Sequence, residues 1–172
     1  MRQETDIDPA IKQHINTTTK NNYTSATLIG AIGGMAMIGF LLIIEAASVG
    51  DSLGLKMLKY LVMAIPLAVG LSKLKEQVTN KYTFFQNGLL FSAIASAVAA
   101  TVMVVGFMLT IGTDAINFAT ITAGMTNVDE LGKSDGFVPV LSGAMLFLEV
   151  FVMSMITSFA ILLFKQDYAR TA

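Results

Sequence analysis

Residues Phe84 to Gly112 contain no charged side chain, and a run of that length has few ways to fold. As a helix at ~1.5 Å per residue it exceeds the ~30 Å of a bilayer's hydrocarbon. In water the same helix, apolar all round, would need a large core packed about it. This chain has 172 residues, 54% of them hydrophobic and only 13% charged, against about 25% charged in ordinary soluble domains. It cannot supply such a core with a polar shell, so the run predicts a membrane-crossing helix.

Three further segments fit the same template. Ser25 to Val49 is uncharged until Glu45, and Phe137 to Phe164 is broken only by Glu149. The second span, Leu55 to about Glu76, is the least clean. Its fully apolar stretch runs only from Tyr60 to Leu71, with Lys56 and Lys59 before it and Lys73 and Lys75 after. Long lysine stems lie along a helix while the ammonium reaches the headgroups, which keeps this span feasible. A buried or re-entrant segment is the competing reading. Nothing repeats internally and no linker divides the chain. The expected architecture is all-α: an integral membrane four-helix bundle with spans at about 25–49, 55–76, 84–112 and 137–164, preceded by a polar segment 1–24 and followed by a tail 166–172.

Basic residues set the expected orientation. With the N-terminus cytoplasmic, that side holds Arg2, Lys12, Lys20, Lys73, Lys75, Lys81, Lys165 and Arg170, and the other only Lys56, Lys59 and Lys133. Basic loops resist translocation, so both termini are expected in the cytoplasm. Tyr23, Tyr82 and Tyr168 at inner boundaries and Tyr60 at an outer one match the interfacial preference of amphipathic rings. The polar start, Met1 to Asn22, lacks the apolar core of a signal peptide. The first apolar segment is therefore expected to stay as a helix in the membrane.

Composition narrows the chemistry. A net charge of −1 gives no electrostatic case for nucleic acid. With no cysteine and one histidine, His14, neither a metal nor a haem site can be assembled from those residues, and no cofactor is expected. No nucleophile–base set or phosphate-binding glycine loop occurs, so catalytic residues are expected to be absent. The eleven methionines read as core filling rather than a copper path.

Two carboxylates are the candidate intramembrane sites. Glu149 falls near the centre of the fourth span, where an ionised side chain costs at least ~2.5 kcal/mol. It is a proton or cation site of a small transporter, a neutral acid hydrogen-bonded to Val62 O, Ser96 or Thr101, or a contact to a charge on another subunit. Glu45 lies ~6 Å below the outer boundary and Glu149 ~18 Å below it. That gap in depth argues against a catalytic or metal-binding pair.

Packing candidates come from small residues, since hydrophobic burial does not drive helices together in lipid. Gly30 and Gly34 lie four apart in the first span, and Gly88, Ser92, Ser96 and Ala100 lie four apart in the third. These faces are candidates to meet each other or to form a dimer contact. Pro66, inside the second span, leaves the Val62 carbonyl without its helical donor and predicts a bend. Outside the spans, Asp8-Pro9 starts a short helix with Ile7, Ile11 and Ile15 on the inner surface. Asp114 is a candidate cap for another in the loop 113–136.

The basic stretch Lys73-Leu-Lys-Glu after the second span, Tyr82-Thr-Phe-Phe-Gln-Asn-Gly entering the third, a loop of about 24 residues and a fourth span ending in Phe164-Lys165 resemble domain-of-unknown-function family 4199, small bacterial four-span proteins. The likeness extends from Thr27 to Lys165. It implies a multi-pass protein of the bacterial inner membrane and no particular activity; Glu149 is not part of it. The reading that follows is a non-catalytic accessory or structural subunit of a membrane complex, with lipid and neighbouring membrane helices, or further copies of itself, as partners. The alternative is a small proton-linked transporter or channel using Glu149.

Overall fold

The computed structural model describes residues 9–47, 53–77, 81–110 and 137–167, with side chains placed at 22–44, 46–47, 58–77, 82–109 and 141–165. All of the regular structure there is helical: α1, Pro9–Ala46; α2, Leu53–Gln77; α3, Lys81–Thr110; and α4, Phe137–Asp167. Pro9 opens α1, where the missing N–H and fixed φ cost nothing. Pro139 falls in the first turn of α4 for the same reason.

Three helices contain segments long and apolar enough to cross a membrane: Asn22–Ile44 in α1, Tyr82–Leu109 in α3 and Leu141–Lys165 in α4. By the same measure α2 is not among them. One expectation changes here. The inner-surface helix and the first span are not separate elements, because α1 continues through both for 38 residues. No helix-breaking residue lies between Ile15 and Ser25, so nothing ends the first helix before the apolar run begins. α2 runs through Pro66 as one element of 25 residues. The loop after α3, with its Asp114 helix, lies outside the described residues, as does the Glu45 side chain.

Side-chain contacts fix the arrangement. Ile29 of α1 lies against Gly70 of α2, and Gly33 against Met63 and Pro66, so α1 and α2 are antiparallel. Gly88 of α3 meets Leu162 of α4, and Gly143 of α4 meets Val104 and Met108 of α3, so that pair is antiparallel too. Gly30 abuts Ala95 and Val98, Gly34 abuts Ala99 and Val102, and Gly106 abuts Ile38. These rising numbers make α1 and α3 parallel neighbours. The described chain therefore alternates in direction, with α3 contacting α1 and α4 most extensively and α2 contacting α1 and α4.

Two clusters fill the centre. One gathers Met37, Leu41, Met63, Leu67, Ala99, Met103, Leu146 and Val150, and the other gathers Ala26, Leu71, Leu74, Phe84, Phe91 and Leu162. The outside is apolar as well. Leu28, Ile32, Leu61, Ile65, Val105, Leu148, Val152 and Ile156 are all exposed. On a protein surrounded by water a band this broad would mark an interaction surface; on α1, α3 and α4 it lies on segments long and apolar enough to cross a membrane.

Candidate functional site

The bundle interior holds one ion pair among the described residues. Lys59 Nζ of α2 lies 3.1 Å from Glu149 Oε1 of α4. Tyr60 donates its hydroxyl to the same oxygen, and its ring centroid is 5.0 Å from the Lys59 ammonium. Lys59 is only 1% exposed and the Glu149 side chain 26%. Two donors of α2 thus converge on one carboxylate oxygen of α4.

Helix geometry explains the convergence. Lys59 lies six residues, ~9 Å, from the start of α2, and Glu149 twelve residues, ~18 Å, from the start of α4. A lysine stem is long enough to follow its helix axis toward such a partner. The inward stripe of α2 is Lys59, Met63, Leu67, Leu71 and Leu74, all buried, whereas Leu58, Leu61, Ile65 and Val69 are exposed. Lys59 therefore does not reach outward to an aqueous boundary, as expected from the sequence. It turns inward because a counter-charge waits there. Tyr60 is likewise buried, at 6% exposure, and is not an interfacial anchor. Tyr23 and Tyr82 are exposed.

The partners anticipated for Glu149 are engaged elsewhere or point elsewhere. Thr101 donates to Ala97 O of its own helix at 2.8 Å. Ser96 Oγ has no partner. The positive partner is in this chain, so no second subunit is needed to satisfy the carboxylate.

A second polar contact joins the same two helices at their other ends. Lys165 Nζ donates to Ala68 O at 3.1 Å and to Ser72 Oγ. Lys75 Nζ donates to Lys165 O at 3.0 Å, satisfying a carbonyl in the last turn of α4 that has no helical donor. From Lys59 to Ser72 along α2, and from Glu149 to Lys165 along α4, the seam is closed at both ends.

The candidate packing residues are distributed differently from the sequence reading. Gly30 and Gly34 face α3, on its Ala95–Val98–Ala99–Val102 side, while Gly88 faces Leu162 of α4. A Cβ on Gly30 would lie 2.9 Å from Val98 Cβ, and one on Gly34 2.9 Å from Ala99 O, so only glycine permits this approach. Ser92 and Ser96 are fully buried. The α3–α4 register brings them to about the height of Ser154 and Ser158, also buried, and none of the four hydroxyls has a hydrogen-bond partner. Pro66 Cγ packs toward Gly33 of α1, 3.5 Å from where a Cβ would stand.

Sequence reasoning passed over Lys59 because a lysine at the edge of an apolar run reads as a boundary marker. The signal was present in the four-residue spacing Lys59–Met63–Leu67–Leu71, which puts the lysine on the stripe opposite Leu58, Leu61, Ile65 and Val69. Among the described residues no group of three or more His, Cys, Asp or Glu side chains is placed to hold a metal. Compared with family models, with curated proteins and with solved structures, the chain has no match.

Proposed function

We propose that the chain is a non-catalytic integral membrane protein that crosses a bacterial inner membrane four times, with both termini cytoplasmic. In this reading it serves as an accessory or structural subunit of a larger membrane complex. The observation that carries it is the Lys59–Tyr60–Glu149 contact. The deepest carboxylate of the described spans is held by two donors of its own chain, which suits a fixed scaffold better than a reacting group. The same contact supports α2 as a fourth crossing, since it removes the charge that most opposes burial of that helix and leaves an apolar outer stripe. The basic-residue bias supports the orientation.

Extraction in a mild detergent, size separation and mass spectrometry of the native protein test this role. A stable co-purifying partner in stoichiometric amount is expected. A chain recovered only alone or with itself ends the subunit reading.

Proton-linked transport is the second reading, favoured by two titratable groups, Lys59 and Tyr60, meeting on one part-exposed carboxylate. Here a proton on Glu149 would release Lys59 and loosen α2 from α4. Liposome flux measured against pH for the native chain and Glu149→Gln decides it, and equal flux in the two rules it out.

A further inference from the structure

The carboxy-terminal ends of α2 and α4 enclose an open cleft of about 600 Å³ lined by Ser72, Lys75, Glu76, Phe164 and Lys165. Its two ammonium groups are unusual in their partners. Lys75 Nζ bonds to one neutral oxygen, the Lys165 carbonyl. Lys165 Nζ bonds to two, the Ala68 carbonyl and the Ser72 hydroxyl. Neither has a carboxylate within ion-pairing distance among the described residues; Glu76 lines the cleft without reaching either. An ammonium offers three donors, so three N–H groups remain unallocated between the two lysines. Two ammonium groups are thus held by neutral acceptors at the mouth of a cleft, and among the described residues neither is ion-paired.

We propose that this cleft binds a phosphate ester, with Lys75 and Lys165 donating to its oxygens. Phosphate is the anion whose several acceptor oxygens match several ammonium donors converging from different directions. The surroundings favour a phospholipid headgroup as its source. Lys165 ends the apolar segment Leu141–Lys165, so the mouth of the cleft lies at the end of a segment long enough to cross the hydrocarbon. Phe164 beside it is 73% exposed and gives an acyl chain an apolar wall. Basic clefts between helix ends are suited to anionic headgroups, each lysine contributing about fivefold in affinity. The cleft and its lysines stand independently of the subunit role proposed above; only the lipid source depends on the helices lying in a bilayer.

Native mass spectrometry of the full chain in detergent micelles tests this, with phosphatidylglycerol, phosphatidylcholine and inorganic phosphate as probes. Phosphatidylglycerol is expected to be retained in preference to phosphatidylcholine. Lys75→Gln should weaken it about fivefold and Lys75→Gln/Lys165→Gln about 25-fold, while the exposed Lys73→Gln has no effect. If the double variant does not fold, Lys75→Gln read against Lys73→Gln decides the matter. Inorganic phosphate that binds alone and displaces the lipid would keep the site and identify its source as free phosphate. Equal retention of the two lipids, or retention unchanged by Lys75→Gln, overturns the proposal.

Discussion

Replacing Glu149 with leucine should expose what the buried ion pair contributes, because it leaves Lys59 buried without the carboxylate it pairs with. Lys59 is 1% exposed, so in the variant its ammonium either stays buried or drags α2 out of register. Removing one partner of a buried pair costs about 3–5 kcal/mol. A loss of about 3 kcal/mol is therefore expected for Glu149→Leu. Lys59→Met should cost less, about 2 kcal/mol, because Glu149 is 26% exposed and keeps the Tyr60 hydrogen bond. The double variant removes both charges together and should fall within about 1 kcal/mol of the native chain. Reversible unfolding in mixed micelles, followed by far-ultraviolet circular dichroism, gives all three values. The cycle should return a coupling of at least about 3 kcal/mol. If the single losses sum to the double loss within about 0.5 kcal/mol, as independent sites do, the two side chains do not act as a pair and the reasoning fails.

Tyr60→Phe deletes one of the two donors on Glu149 and should cost about 1–2 kcal/mol in the same assay; no loss would mean that the hydroxyl does not bond there. Gly34→Val should cost about 1–3 kcal/mol, since even a Cβ would lie 2.8 Å from Val102 Cβ and α1 would have to move off α3. Gly39→Ala, with nothing within 4 Å of the added atom, should be neutral or gain up to about 1 kcal/mol; equal losses at both glycines would contradict the α1–α3 contact. Ser96→Ala and Ser154→Ala remove hydroxyls that are buried without partners and should leave stability unchanged or raise it by about 1 kcal/mol. A clear loss in either serine variant would show that the hydroxyls are bonded.

The fold was most legible where one physical rule governs a long segment. Hydrocarbon thickness fixes the length of an uncharged helix, so the segment now seen as α3 emerged from the absence of charge alone, and α4 from a run broken only by Glu149. The Gly30–Gly34 row was legible as a close-approach face for a similar reason, because a missing side chain has few other uses in a helix. Its mate was not. α3 carries small residues on two adjacent faces, and which of them meets α1 depends on how the whole bundle rotates. The limits show most clearly at Lys59. Its position in the sequence is the same whether its stem runs out to water or in to a carboxylate 90 residues later, and only the placement of α4 beside α2 selects between them. Tyr60 was misplaced by the same ambiguity, since an amphipathic ring suits an interface and a buried acceptor equally. Glu149 was singled out because an acid at that depth demands a partner, although the partner's identity is a tertiary fact.

Under the four-span reading, the two parallel helix pairs of the bundle solve one problem by different physical means. Helices surrounded by lipid gain nothing from hiding apolar surface from each other, so they must approach closely enough for dispersion or exchange hydrogen bonds. Between α1 and α3 the means is proximity, with Gly30 and Gly34 bringing the backbone against Ala95 and Ala99. Between α2 and α4 it is polarity, with Lys59 and Tyr60 on Glu149 at one level and Lys165 on Ala68 and Ser72 at another. The division follows composition. α2 has the shortest uncharged stretch and carries the lysines, and each lysine that contacts α4 turns a cost of insertion into an attachment. Two of the four lysines that make α2 the weakest span by sequence, Lys59 and Lys75, are thus the ones that attach it to α4.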